Sequence, residues 1–163
     1  MSCVAQFSQD YGPFITAGAI FISGAIAAIA IVHNLRIARK RATIDLVMHE
    51  RLNKTNLDAR GIVLGLHEAE AEFVGYALRD KASTEEAKAI LVVLNFYEFA
   101  AAGIRDGAFD EAMFRRMQYS MVLRDWGALE GFVRELRKAR GSDTLFCEFQ
   151  RLAESWRRKP LKV

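Results

Sequence analysis

The stretch "GPFITAGAIFISGAIAAIAIVHNL" at residues 12–35 restricts this chain more than any other. From Phe14 to Val32 it carries no charge. As a helix, those residues span about 28 Å, close to the hydrocarbon thickness of a bilayer. A core helix of a small protein has little need to be apolar all round, so the length and composition predict a transmembrane helix over 14–35. A cleaved signal peptide would carry its basic residues before the apolar run. Here the order is reversed. All 23 Lys and Arg residues lie at or after Arg36, and the first 13 residues hold one Asp and no base. By the positive-inside rule, residues 1–13 form a short outer tail and everything after Arg36 faces the cytoplasm. The expected location is therefore a cytoplasmic (inner) membrane, crossed once.

The basic residues Arg36, Arg39, Lys40 and Arg41 are candidate lipid headgroup contacts, and residues 36–57 read as a basic juxtamembrane helix or stalk. A second basic cluster, "RRKPLK" at 157–162, could also lie against an anionic inner leaflet, but reads first as a solvated tail. Within the span, Ala19, Ser23, Ala27 and Ala30 fall at spacings that place small side chains on one face. Such a face lets two helices approach, which makes it a candidate homo-oligomer contact. The expected partners are the bilayer, a second copy, or another membrane protein.

The rest, 58–163, reads as a small antiparallel helical bundle, so the fold class is all-α. Ile62, Leu66, Ala69, Phe73 and Tyr76 step by four and three. So do Ile90, Leu94, Tyr97, Ala101 and Ile104, and again Val122, Trp126, Leu129, Val133 and Leu136. Each set lies on one helical face. "STEE" at 83–86 reads as a capping box starting at Ser83, and Asp110 as the next cap, with Phe109 and Phe114 at the staple positions. Gly107 and Gly141 stand where helices end. Ser142 or Asp143 is placed to start the last helix, which Pro160 stops. The expected helices are 58–80, 84–105, 111–140 and 143–158, with a break around "LNKTNLDARG".

Asn95 and Glu98 interrupt the apolar run "ILVVLNFYEFAAAGIRDG", residues 90–107. A carboxylate is costly to bury without partners. With Arg105 two turns on, these residues form a candidate buried polar network or binding site. Glu98 is expected to be satisfied by Arg105, Arg116 or Arg124, or by backbone amides of a loop.

Chemistry is weakly signalled. "HE" occurs at 49–50 and 67–68, and Glu70 and Glu72 follow, but no His-x-x-x-His or Glu-x-x-His pair occurs. A membrane-tethered metal enzyme is the weaker reading, and solvated helix faces the stronger. There is no phosphate-binding glycine loop, no dinucleotide fingerprint and no nucleophile elbow, so no cofactor and no enzymatic activity are expected. Cys147 sits in an apolar setting that keeps a thiol inert. Cys3 lies before the span, so the two cysteines are not expected to pair. Arg134, Arg137, Lys138 and Arg140 enclose Glu135, an arrangement unlike a nucleic-acid stripe.

Several of these pieces together resemble a bacterial and phage family, domain of unknown function 4760. They are Arg41, Thr43, Asp45 and Leu46 after the span; Leu94, Asn95, Tyr97, Glu98, Gly103, Ile104, Arg105 and Gly107; Trp126; and Phe146, Phe149, Leu152 and Trp156. The resemblance implies a small membrane-anchored helical protein and supplies no activity. It fits an accessory or regulatory binding factor, or alternatively a phage-defence or superinfection-exclusion factor.

Overall fold

A computed structural model describes the backbone of residues 3–78 and 80–161, and the side chains of 16–78 and 80–161. Cys3, Asp10 and Lys162 therefore lie outside the described side chains. Five α-helices and one 3₁₀ turn make up the described chain, with no strand among them: α1 Cys3–Leu52, α2 Lys54–Glu68, the 3₁₀ turn Phe73–Ala77, α3 Glu85–Arg105, α4 Glu111–Arg140 and α5 Cys147–Arg158. The chain divides into two compact units, Met1–Ala38 and Arg39–Val163.

The first unit is a lone helix. Ile20, Phe21, Ile22, Ile26 and Ile29 are all more than 60% exposed and cover every side of it. None of its most apolar 18-residue window is buried, and its mean hydropathy is 1.9. Its length and composition suffice to cross a membrane, as a span or as a signal sequence. α3 is also long and apolar enough, but nearly half of its most apolar window is already buried in the second unit.

The second unit is the bundle. Its core gathers Ile90, Leu94 and Tyr97 from α3, Val122, Trp126, Leu129 and Val133 from α4, and Phe149, Ala153 and Trp156 from α5. Those of α3 and α4 belong to the predicted apolar stripes, turned inward because burying one face is what holds such helices together; those of α5 lie outside them. The last stretch of α1 takes part as well: Thr43, Val47 and Glu50 are buried.

Helix limits follow local chemistry. The break expected near residue 53 is there, and the Asn53 side chain accepts the Asn56 amide to start α2. Asp110 caps α4 by accepting from Met113. Gly107 and Gly141 take left-handed backbone, φ 72° and 60°. Each closes a paired end motif: Ala108 N–H to Gly103 and Gly107 N–H to Ile104, then Ser142 N–H to Arg137 and Gly141 N–H to Lys138.

Three expectations need correction. The cap of α3 is Thr84, which accepts from Ala87, and not Ser83. The helix expected over 58–80 stops at Glu68, where Glu70 turns left-handed at φ 50°. The 3₁₀ turn then lets Val74 meet Gly131 of α4 and still buries Phe73. Finally, α5 begins at Cys147 and not at 143. Phe146 stands at its start with φ 57° and offers no capping side chain. Of the two staple phenylalanines, Phe109 packs on Gly103 and Phe99, and Phe114 on Phe96 and Trp156.

Candidate functional site

The uncapped start of α5 is met by Glu98. From α3, its Oε2 accepts the Phe149 amide at 2.8 Å and its Oε1 the Glu148 amide at 3.2 Å. These are orphan donors of the first turn of α5, and a carboxylate there also meets the positive end of the helix dipole. Glu98 thus supplies from fifty residues away the cap that Phe146 cannot. Of the alternatives read from sequence, the backbone amides are the ones realised. Arg124 instead belongs to Asp125, and Arg105 pairs with Glu148, which Arg151 also reaches.

Asn95 does not join a buried network. It is exposed, because it lies about 200° round α3 from the buried Tyr97. Arg105 is likewise exposed. Those two residues and Glu98 therefore do not form one polar cluster.

The polar cluster of the bundle is elsewhere and draws on four helices. The Arg60 guanidinium, from α2, is its hub. Its Nε donates to Glu50 of α1, Nη1 and Nη2 each lie 3.2 Å from the Tyr97 hydroxyl of α3, and Nη1 lies 3.5 Å from Asp125 Oδ2 of α4. The Tyr97 hydroxyl donates to Asp125 Oδ2 at 2.8 Å. Arg124 holds the other oxygen of Asp125, with Nε at 2.9 Å and Nη2 at 2.8 Å. Glu50 and Asp125 are 3% and 1% exposed, so each needs these partners. The guanidinium also lies over the Phe96 and Tyr97 rings, 5.5 and 5.1 Å from their centres. Phe149 stacks on the far side of the cluster, its ring 4.6 Å from that of Tyr97.

The electrostatics lock this arrangement. Burial pushes the Tyr97 phenol far above its usual range, and the Asp125 carboxylate adds to the shift while Arg60 opposes it. Tyr97 therefore stays protonated and remains the donor. His67 stands at the edge, with Nε2 buried and 3.7 Å from Asp125 Oδ1. Burial lowers its pKa, Asp125 raises it and Arg124 lowers it again. The expectation that the two "HE" pairs lie on solvated faces is corrected for Glu50 and His67. Both are turned inward, Glu50 onto Arg60 and His67 towards Asp125, after the chain breaks at Asn53 and α2 packs on α3. Arg60 escaped notice in the sequence. The available signal was a lone arginine between Ala59 and Val63, both of which are buried.

An open cleft borders His67, lined by Glu70, Glu72 and Phe73. Among the described residues no group of three His, Cys, Asp or Glu side chains is placed to hold a metal ion. Arg36, Arg39, Lys40 and Arg41 are exposed, and the Arg39 guanidinium lies against Gly107. Ala19, Ser23, Ala27 and Ala30 are exposed on the lone helix. The basic patch on α4 is partly spent internally: Lys138 pairs with Glu135 at 2.8 Å, and Arg137 bonds Leu145 and Gln150.

No curated protein and no solved structure matches the chain. One family profile does, over residues 17–156. The residues that carried the sequence resemblance have tasks in this geometry: Tyr97 in the buried cluster, Glu98 on α5, Gly103 beneath Phe109, Gly107 at the end motif, and Trp156 donating to Glu111. The match spans both the apolar helix and nearly all of the bundle, and the chain belongs to the family described as domain of unknown function DUF4760.

Proposed function

We propose that this protein is a single-pass membrane protein whose helical domain, on the cytoplasmic face, acts by binding a partner there. The observation that carries the reading is the apolar helix. Its isoleucines and Phe21 are exposed on every side, a surface that water does not tolerate and lipid does. The basic residues Arg36–Arg41 directly after it favour a cytoplasmic domain. Action by binding is supported by the way the buried polar groups are used. Arg60, Tyr97, Asp125 and Glu50 are occupied with one another, which makes them a joint between the last turns of α1 and the other helices of the bundle. A membrane helix followed in sequence by a compact helical domain suits an accessory or regulatory subunit that holds a partner at the bilayer.

Two measurements test this. Reporter fusions at the C-terminus fix the side: green fluorescence without alkaline phosphatase activity is expected, and the opposite pattern overturns the orientation. Extraction of the full-length protein in mild detergent, followed by native mass measurement, then tests the mode of action. A second protein at fixed stoichiometry, or a defined homo-oligomer, is expected. A bare monomer that binds nothing overturns the binding role.

A further inference from the structure

The bundle brings two basic clusters to one end although 115 residues separate them in sequence. Arg39 lies against Gly107, in the turn between α3 and α4. Four residues on, the Thr43 hydroxyl accepts the Asp110 amide at 2.8 Å. The next residue, Glu111, accepts from the Trp156 indole at 2.9 Å, which ties the end of α5 to the same turn. One turn along α4, Arg115 donates to the Lys159 carbonyl and its guanidinium lies 5.6 Å from the centre of the Trp156 ring. Arg39, Lys40 and Arg41 therefore share this end with Arg157, Arg158 and Lys159, and all six are exposed. Adjacent helix axes lie 8–10 Å apart, so the patch is about 20 Å wide.

We infer that this end of the bundle is a docking platform for an anionic lipid surface, with the C-terminal cluster as its second foot. The inference rests on the membrane reading above. It takes the lipid-facing alternative for 157–162 over the solvated tail. Charge complementarity argues for lipid as the occupant. Asp110 is engaged as the cap of α4 and Glu111 by Trp156, which leaves Asp106 and, one turn past Arg41, Asp45 against the six bases. Position argues the same way. Arg39 is seven residues from Val32, the last residue of the uncharged run, so this end is the one the chain holds near the bilayer. Near an anionic surface each basic side chain shifts the docked population by about fivefold, and the attraction fades within a Debye length of about 8 Å at physiological salt.

The test uses the full chain with Cys3→Ser and Cys147→Ser. A fluorophore is attached through Leu161→Cys at the proposed foot, or through Asp143→Cys past the far end of α4. α4 is 30 residues long, so the two ends lie about 45 Å apart. Arg134, Lys138 and Arg140 near the far site make it a control for charge alone. Each protein is reconstituted into phosphatidylcholine vesicles with or without phosphatidylglycerol, and quenching by brominated lipid is read. Strong quenching at 161, weak quenching at 143, and dependence on phosphatidylglycerol are expected. Arg157→Gln with Arg158→Gln should lower the docked-to-free ratio by about 25-fold. Equal quenching at the two sites, or quenching at 161 that ignores phosphatidylglycerol, overturns the platform and leaves the span intact. Flotation after an alkaline wash is read first. Failure to float with the vesicles overturns the span reading, and the platform with it.

Discussion

Glu98 stands on α3, yet both of its oxygens serve the first turn of α5. Removing the carboxylate leaves two amides without their acceptor and the helix without its cap. Glu98→Ala should cost about 2 kcal/mol and lower the melting temperature of the detergent-solubilised protein by about 6 °C. Glu98→Gln, which keeps one acceptor oxygen, should cost less. Identical melting curves for wild type and both variants would place Glu98 outside the cap. Gln118 poses the opposite case. It is 1% exposed between the buried Phe114 and Val122, and neither atom of its amide has a hydrogen-bond partner among the described residues. An unpartnered buried amide costs about 1–3 kcal/mol. Gln118→Met, close in volume, should therefore raise the melting temperature, and a fall would show that the amide has a partner. The need for partners at Glu98 was legible, because a carboxylate within "LNFYEFAAA" has few other options. The identity of the partner was not. It depends on a left-handed Phe146, and nothing in "TLFCEF" announces that the backbone will turn there.

Among the elements, α3 and α4 begin and end where capping chemistry places them, and their bounds were readable to within a residue. α2 was not, because an apolar spacing of four and three continues through Phe73 and Tyr76 into a segment that is no longer α-helical. The spacing records which residues are buried, and a 3₁₀ turn buries Phe73 equally well. The joint at Arg60 was also out of reach, since it unites residues from four helices whose pairing only the tertiary fold decides. Two predictions belong here. Gly103 lies directly beneath the Phe109 ring, so Gly103→Ala forces that ring to move and should cost about 1–3 kcal/mol by denaturant titration. An unchanged midpoint would show that the ring yields freely. His67 links the joint to pH. Its folded pKa lies below the usual 6.5, so the unfolded chain takes up its proton first as pH falls. Stability from this group is intact above 6.5 and declines as pH drops through and below that value, levelling off once the folded form is also protonated. Melting temperature should therefore fall between pH 7.5 and 5.5, and by less in His67→Asn. Equal slopes for the two proteins would remove His67 from the linkage.

At the scale of the molecule, one chain joins a helix suited to lipid and a bundle suited to water. The uncharged run made the first legible at once, because no small soluble core needs nineteen such residues in line. A charge at its centre should be decisive. Ile26→Lys adds about 2.5–3.5 kcal/mol to insertion, and should shift the protein from the carbonate-resistant to the extractable fraction. Undiminished resistance would place the anchoring elsewhere. The loan of a cap from α3 to α5 has a further consequence during synthesis. α3 leaves the ribosome some fifty residues before the helix it serves, so until then only water serves the Glu98 carboxylate beside Phe96 and Tyr97. A message cut short before Cys147 would yield a chain that waits indefinitely, with a bare carboxylate and the apolar bed of Phe149 and Trp156 open to proteases. α5 thus closes two openings in one step, the carboxylate on α3 and the apolar surface that Phe149 and Trp156 cover.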